Sequence, residues 1–177
     1  LEPSGPEQFD AALRTALDWN GAMYLRMART YGPLPDGLTQ QPLEVGKGYV
    51  LREGGDGVIV AAGLMVAPAL AAAEMLAAEG RDVSVVNMSS IKPLDEELVV
   101  RLARDTGVVV TAENHSVIGG LGSAVAETLM ERGVACQFKR IGLRDCFAEG
   151  ASVNYLFEKY GLSAKAIAAA FRETSQR

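Results

Sequence analysis

A chain of 177 residues, 49% of them hydrophobic, suits one full domain with an extension, or two small domains. Its 17 basic and 22 acidic residues leave a net charge of −5 without a basic cluster, which argues against nucleic acid as the main partner. No acidic run is long enough to make a disordered tail.

The opening LEPSGPEQFDAAL has neither the basic nor the apolar region of a secretion signal. The longest apolar stretch, around residues 58–78, is broken by Gly63, Pro68 and Glu74 and reads as strand, turn and helix, not as a membrane span. Cys136 and Cys146 have no histidine nearby, so no metal site is expected, and they read as reduced thiols of a cytoplasmic protein.

In chain order, Ser4-Gly5-Pro6-Glu7 starts a helix, with proline in its first turn and an acid facing the helix dipole. Phe9, Leu13, Ala16 and Leu17 give that helix its apolar face. Residues 22–27 are strand-like and lead to Arg29. Residues 31–42 are rich in proline and glycine without periodicity, and form a linker. A helix and a strand cannot bury a core alone, so residues 1–30 are expected to be the tail of a domain whose body lies elsewhere.

From residue 43 the elements alternate. Short strands over 48–52 and 58–62 flank Glu53-Gly54-Gly55-Asp56-Gly57, which has the composition of a hairpin turn. A helix over 65–78 closes at Gly80, and a strand over 83–87 follows. Asp95 is the expected N-cap of the next helix, which Gly107 stops. The apolar, β-branched run from Val108 ends in Glu113-Asn114-His115, and a glycine-rich helix start follows. The last strand spans 135–141, and Ser152 and Ser163 start two closing helices with Val153, Leu156, Phe157, Ile167 and Phe171 turned inward. The order β-β-α-β-α-β-α-β-α-α implies an α/β fold in three layers, α/β/α, around a mostly parallel five-stranded sheet with one antiparallel edge strand. In such sheets ligands or partner subunits meet the carboxyl ends of the strands, here the stretch after Ala112.

Two glycine patterns need weighing. Gly120-Leu121-Gly122 begins like a dinucleotide fingerprint, but Val125 stands where the third small residue belongs and no acid ends the following strand. Gly119, Gly120 and Gly122 are therefore expected to let this helix start pack closely, while its N–H groups could still hold an anion. Gly55-Asp56-Gly57, with Asn87 thirty residues on, imitates the Mg²⁺-binding signature of thiamine diphosphate enzymes. It precedes a strand instead of following one, and the match is rejected. His115 is the only histidine, so acid–base chemistry would fall to it, with Glu113 placed to orient it. No nucleophile can be set beside it from sequence, so a loop or interface role is expected and no catalytic residue is assigned.

These residues carry a resemblance. ENHSVIGGLGSAVAE (residues 113–127), IKPLD (91–95), LEVGKGYVLRE (43–53) and DCFAEG (145–150) together resemble the C-terminal domain of transketolase, over about residues 43–173. The type most similar is the bacterial enzyme split into two chains, in which this domain ends the second. The resemblance implies that residues 1–30 end the preceding pyrimidine-binding domain, that 31–42 is the linker and that 43–177 is the C-terminal domain.

It further implies a parent enzyme that uses thiamine diphosphate and Mg²⁺ to move two-carbon ketol units between sugar phosphates, with neither cofactor bound by this chain alone. The arginine ending its YLRxxR-like strand contacts the sugar phosphate; by position that is Arg29, and a guanidinium suits phosphate as a permanently charged fork. The implied partners are an N-terminal thiamine-diphosphate-binding domain or subunit and a second copy, as a homodimer or a dimer of split subunits. Glu113, His115, Gly119, Gly120 and Gly122 are expected at an interface or accessory loop. Alternatives are the terminal domain of 1-deoxyxylulose-5-phosphate synthase or of a 2-oxoacid dehydrogenase β subunit, or a non-catalytic module binding an anionic effector at residues 119–123.

Overall fold

The computed structural model describes residues 1–29, 31, 34 and 43–176, so the expected linker lies outside the described residues except at Tyr31 and Leu34. Helix α1 spans Pro6–Asp18, with Pro6 in its first turn. Strands β1 (Tyr49–Arg52), β2 (Val58–Ala61), β3 (Ser84–Asn87), β4 (Val108–Ser116) and β5 (Gln137–Leu143) alternate with α2 (Val66–Ala77), α3 (Glu96–Thr106) and α4 (Leu121–Glu131). Helices α5 (Val153–Lys159) and α6 (Ala164–Ser175) close the chain.

The five strands form one sheet in the order β1-β3-β2-β4-β5, with β1 antiparallel to β3 and every other pair parallel. The hairpin expected between β1 and β2 is absent, because β3 lies between them. Burial decides this. All four residues of β2 are buried, which requires neighbours on both sides, whereas every residue of β1 is half-buried and suits an edge. The glycine-rich connection crosses the start of β3: the Gly54 N–H donates to Ser84 Oγ (2.9 Å), and Asp56 and Asp82 exchange hydrogen bonds. A Cβ at Gly54 would stand 2.5 Å from the Asp82 backbone, so the crossing needs glycine there.

Alternate strand residues supply two cores. Ile59, Val83, Val85 and Val110 pack with Met65, Leu76, Ile167 and Phe171 beneath α2 and α6. Val58, Val60, Val86 and Val109 pack with Val99, Leu102, Leu121 and Val125 beneath α3 and α4. This is the three-layer arrangement that the alternation implies. Asp95 caps α3 by accepting from the Leu98 N–H (3.1 Å), and Gly107 ends it in the left-handed conformation at φ 70°.

Two inward faces differ from expectation. Leu13 and Leu17 of α1 are exposed, and Gln8 and Ala12 take the buried face instead. Val153 is also exposed, and no residue of the short helix α5 is fully buried. Residues 22–28, expected as a strand over 22–27, form no strand among the described residues. Their backbone pairs with Leu1, which donates to the Tyr24 carbonyl (2.8 Å) and accepts from the Arg26 N–H (2.9 Å), and the Ala28 N–H donates to the Tyr31 hydroxyl (3.2 Å).

Candidate functional site at the carboxyl edge

At the carboxyl edge of the sheet, the chain's own first residues lie against the strand ends. The Glu2 N–H donates to the Ser89 carbonyl (2.7 Å), and the Glu2 side chain fills the space that a Cβ on Gly63 would need. At the end of β3, Asn87 and Ser89 are buried with Ser4 and Gln8: Asn87 Nδ2 donates to Ser4 Oγ (3.0 Å), and Ser89 Oγ donates to Gln8 Oε1 (2.7 Å). A buried polar group needs such partners, so this joint fixes residues 1–8 on the sheet. Asn87, which completed the rejected Mg²⁺ signature, is structural here. Asp56 of that signature stands at the opposite, amino-terminal edge, accepting the Asp82 N–H (2.6 Å).

Strand β4 carries the central feature. Its Glu113 is fully buried and turns its carboxylate into the start of α4, where it accepts from the N–H groups of Leu121 (2.8 Å) and Gly122 (2.9 Å). A helix start is an anion site, and here the chain supplies the anion itself. Burial pushes the Glu113 carboxyl above its ordinary range, against the pull of the two N–H donors. The glycines make the fit possible. A Cβ on Gly120 would stand 1.9 Å from Glu113 Oε2, one on Gly122 would meet Thr111 Oγ1 at 2.7 Å, and Gly119 sits at φ 72°. Close packing is thus what Gly120 and Gly122 provide, while Gly119 supplies only the left-handed turn, and an anionic effector would have to displace Glu113.

His115 is not oriented by Glu113: its Nδ1 lies 3.9 Å from Glu113 Oε2 but 2.9 Å from the Ser116 carbonyl oxygen. The imidazole is half-exposed. It lines a cleft of about 520 Å³, with Glu113, Gly119 and Gly120 on one wall and Trp19 and Tyr24 on the other. The loop before α4 is held firmly, since Ser123 Oγ and Arg140 Nη1 both donate to the Val117 carbonyl (2.9 and 2.8 Å).

Arg29 is exposed and lines a second cleft, of about 410 Å³, which His115 does not reach. Arg26 and Glu2 line both clefts, and sequence reasoning passed over them together with Asn114. The guanidinium of Arg26 pairs with the Glu2 carboxylate, donates to Asn114 Oδ1 (2.8 Å) and reaches the Asn114 carbonyl (3.1 Å). The one available signal is the pair of arginines in YLRMAR, only one of which the family pattern explains. Among the described residues no three His, Cys, Asp or Glu side chains cluster as metal ligands, and no helix is long and apolar enough to cross a membrane.

Residues 46–167 match the family model for the transketolase C-terminal domain. The chain is 47% identical over 176 residues to the 6-deoxy-6-sulfo-D-fructose transketolase subunit SqwH of Clostridium sp. (strain MSTE9), covering 99% of this chain and 54% of that protein. It is 43% identical to the 1-deoxy-D-xylulose-5-phosphate synthase of Heliobacterium modesticaldum, over 98% of this chain and 27% of that one. A solved split-gene transketolase, an inactive beta4 tetramer, superposes with a TM-score of 0.91 at 45% identity, covering 98% of this chain and 56% of the other. The chain therefore spans about half the length of its split relatives and about a quarter of the synthase.

Proposed function

The chain belongs to the transketolase C-terminal domain family, and on that premise we propose that it is the C-terminal part of a thiamine-diphosphate-dependent, cytoplasmic enzyme that transfers two-carbon ketol units between sugar phosphates. Its own part is assembly, and it is inactive alone. The observation that carries this reading is the state of the carboxyl edge. Where an open α/β sheet would take a ligand, residues 1–8 and the Glu113 carboxylate already occupy the strand ends and the helix start.

Residues 1–30 would be the end of a pyrimidine-binding domain, 31–42 the linker and 43–177 the C-terminal domain. The exposure of Leu17, Tyr24 and Met27 in the first segment supports this, because apolar side chains so placed suit burial against further protein. Thiamine diphosphate and Mg²⁺ would supply the carbanion chemistry from elsewhere in the parent enzyme. The donors described here do not fit them, since Asp56 is hydrogen-bonded at the wrong edge. Arg29 would bind the substrate phosphate, as the one arginine of YLRMAR not engaged by another side chain among the described residues.

The partners would be an N-terminal thiamine-diphosphate-binding domain or subunit and a second copy. The tetrameric state of the solved relative supports self-association. The loop 113–119 would contribute, since His115 is half-exposed and Ile118 is exposed beside it. In the full enzyme, His115→Ala is expected to weaken subunit association about fivefold, read by sedimentation, with turnover per assembled dimer unchanged. Lost turnover in an intact dimer would contradict this role. The similarity to 1-deoxy-D-xylulose-5-phosphate synthase supports a second reading, in which the parent is that synthase. Product analysis of the full enzyme separates the two.

A further inference from the structure

The two arginines of YLRMAR are engaged differently. Arg26 is held on three sides, by a buried carboxylate, a side-chain amide and a backbone carbonyl, while Arg29 lies exposed on the neighbouring cleft. Both line the second cleft, together with Gly63, Leu64 and Asn114 of the α/β unit. Both arginines thus border the same cleft, one of them tied into its wall and the other unengaged by another side chain among the described residues.

The segment carrying both has little else to fix it. Among the described residues its backbone pairs with Leu1 and, at Ala28, with the Tyr31 hydroxyl (3.2 Å), and Tyr24 and Met27 are exposed. Asn114, by contrast, is firmly placed: it follows Glu113, whose carboxylate is clamped in the start of α4. A guanidinium–phosphate pair depends on bidentate geometry, and a displacement of about 1 Å in a positioning group is enough to weaken binding or rate strongly.

We propose that Arg26 is a positioning residue for substrate phosphate: by bridging Glu2 and Asn114 it anchors the segment around residues 22–28 to the end of β4 and sets where Arg29 meets the phosphate. This gives the C-terminal unit a part in substrate affinity as well as in assembly. It rests on the reading of Arg29 as the phosphate ligand.

The test is steady-state kinetics of the full enzyme with a phosphorylated aldose acceptor and its unphosphorylated counterpart. Arg26→Gln is expected to raise KM for the phosphorylated aldose about tenfold with kcat within about twofold, and to leave KM for the unphosphorylated one unchanged. Arg26→Lys should recover part of the loss. Asn114→Ala, which keeps the Glu2 pair and so guards against misfolding, should shift the same KM about threefold. Combining Arg26→Gln with Arg29→Gln should cost no more than Arg29→Gln alone.

If Arg29→Gln raises that KM but neither Arg26→Gln nor Asn114→Ala does, positioning is overturned and the Arg29 reading stands. Equal effects of the Arg26 variant on both aldoses, or a fall in kcat alone, also overturn it. If Arg29→Gln leaves the phosphorylated KM unchanged, the phosphate reading fails and the proposal falls with it.

Discussion

Glu113→Ala is expected to lower the stability of the folded chain by about 3 kcal/mol, a fall in Tm of about 6–12 °C. The carboxylate satisfies two N–H groups at the start of α4 that have no intrahelical partner. Charge-assisted bonds of this kind contribute more than neutral ones, and truncation leaves both donors without their acceptor. Glu113→Gln should cost about half as much, because one carbonyl oxygen still accepts while the amide NH₂ opposes an N–H. Gly120→Ala should behave like Glu113→Ala, since its Cβ would stand 1.9 Å from the carboxylate.

The same carboxyl gives a pH signature. Burial raises its pKa in the folded chain, so between its unfolded and folded pKa values the native state binds more protons than the unfolded state. Its contribution to stability is then greatest below the unfolded pKa and declines as pH rises through the folded one. The stability difference between wild type and Glu113→Gln should shrink over that window, as read by thermal melts. A pH-independent difference would mean that burial does not dominate at this site.

Arg29→Met is expected to raise KM for phosphorylated sugars about 30- to 100-fold in the full enzyme, equivalent to about 2–3 kcal/mol. The unphosphorylated acceptor should be nearly indifferent. A guanidinium makes two parallel bonds to a phosphate, and nothing in a thioether replaces them. Arg29 is exposed on its cleft and has no ion-pair partner among the described residues, so the substitution should leave the melting temperature within about 2 °C. A fall in stability with unchanged KM would make Arg29 a structural residue.

Much of the fold could be read from local chemistry. The Asp95 cap, the left-handed Gly107 and the β-branched run of β4 each follow from residue type and spacing, and the alternation of elements gave the layers. Strand order was harder. A glycine-rich turn between β1 and β2 suggested a hairpin, but the complete burial of Val58–Ala61 is a tertiary demand, and it moved β2 into the centre of the sheet. The inward face of α5 is hard to read because seven residues carry little pattern, while in the 13-residue α1 the buried position of Gln8 is set by Asn87 and Ser89, about 80 residues on.

The site was legible in part. Sequence reasoning identified the glycines before α4 as packing residues, but took Glu113 as an orienter for His115, two residues away. Its partners lie eight and nine residues on, across a turn whose geometry no spacing rule gives. Arg26 was missed for a similar reason: its partners, Glu2 and Asn114, lie 24 and 88 residues away.

The most direct test of the assembly reading is a ketol-transfer assay on purified residues 1–177, supplied with thiamine diphosphate, Mg²⁺, a ketose phosphate and an aldose phosphate. No turnover above a protein-free blank is the predicted result, because the proposed function assigns the cofactor and its activating groups to the rest of the parent enzyme. Steady turnover by this chain alone would contradict the account.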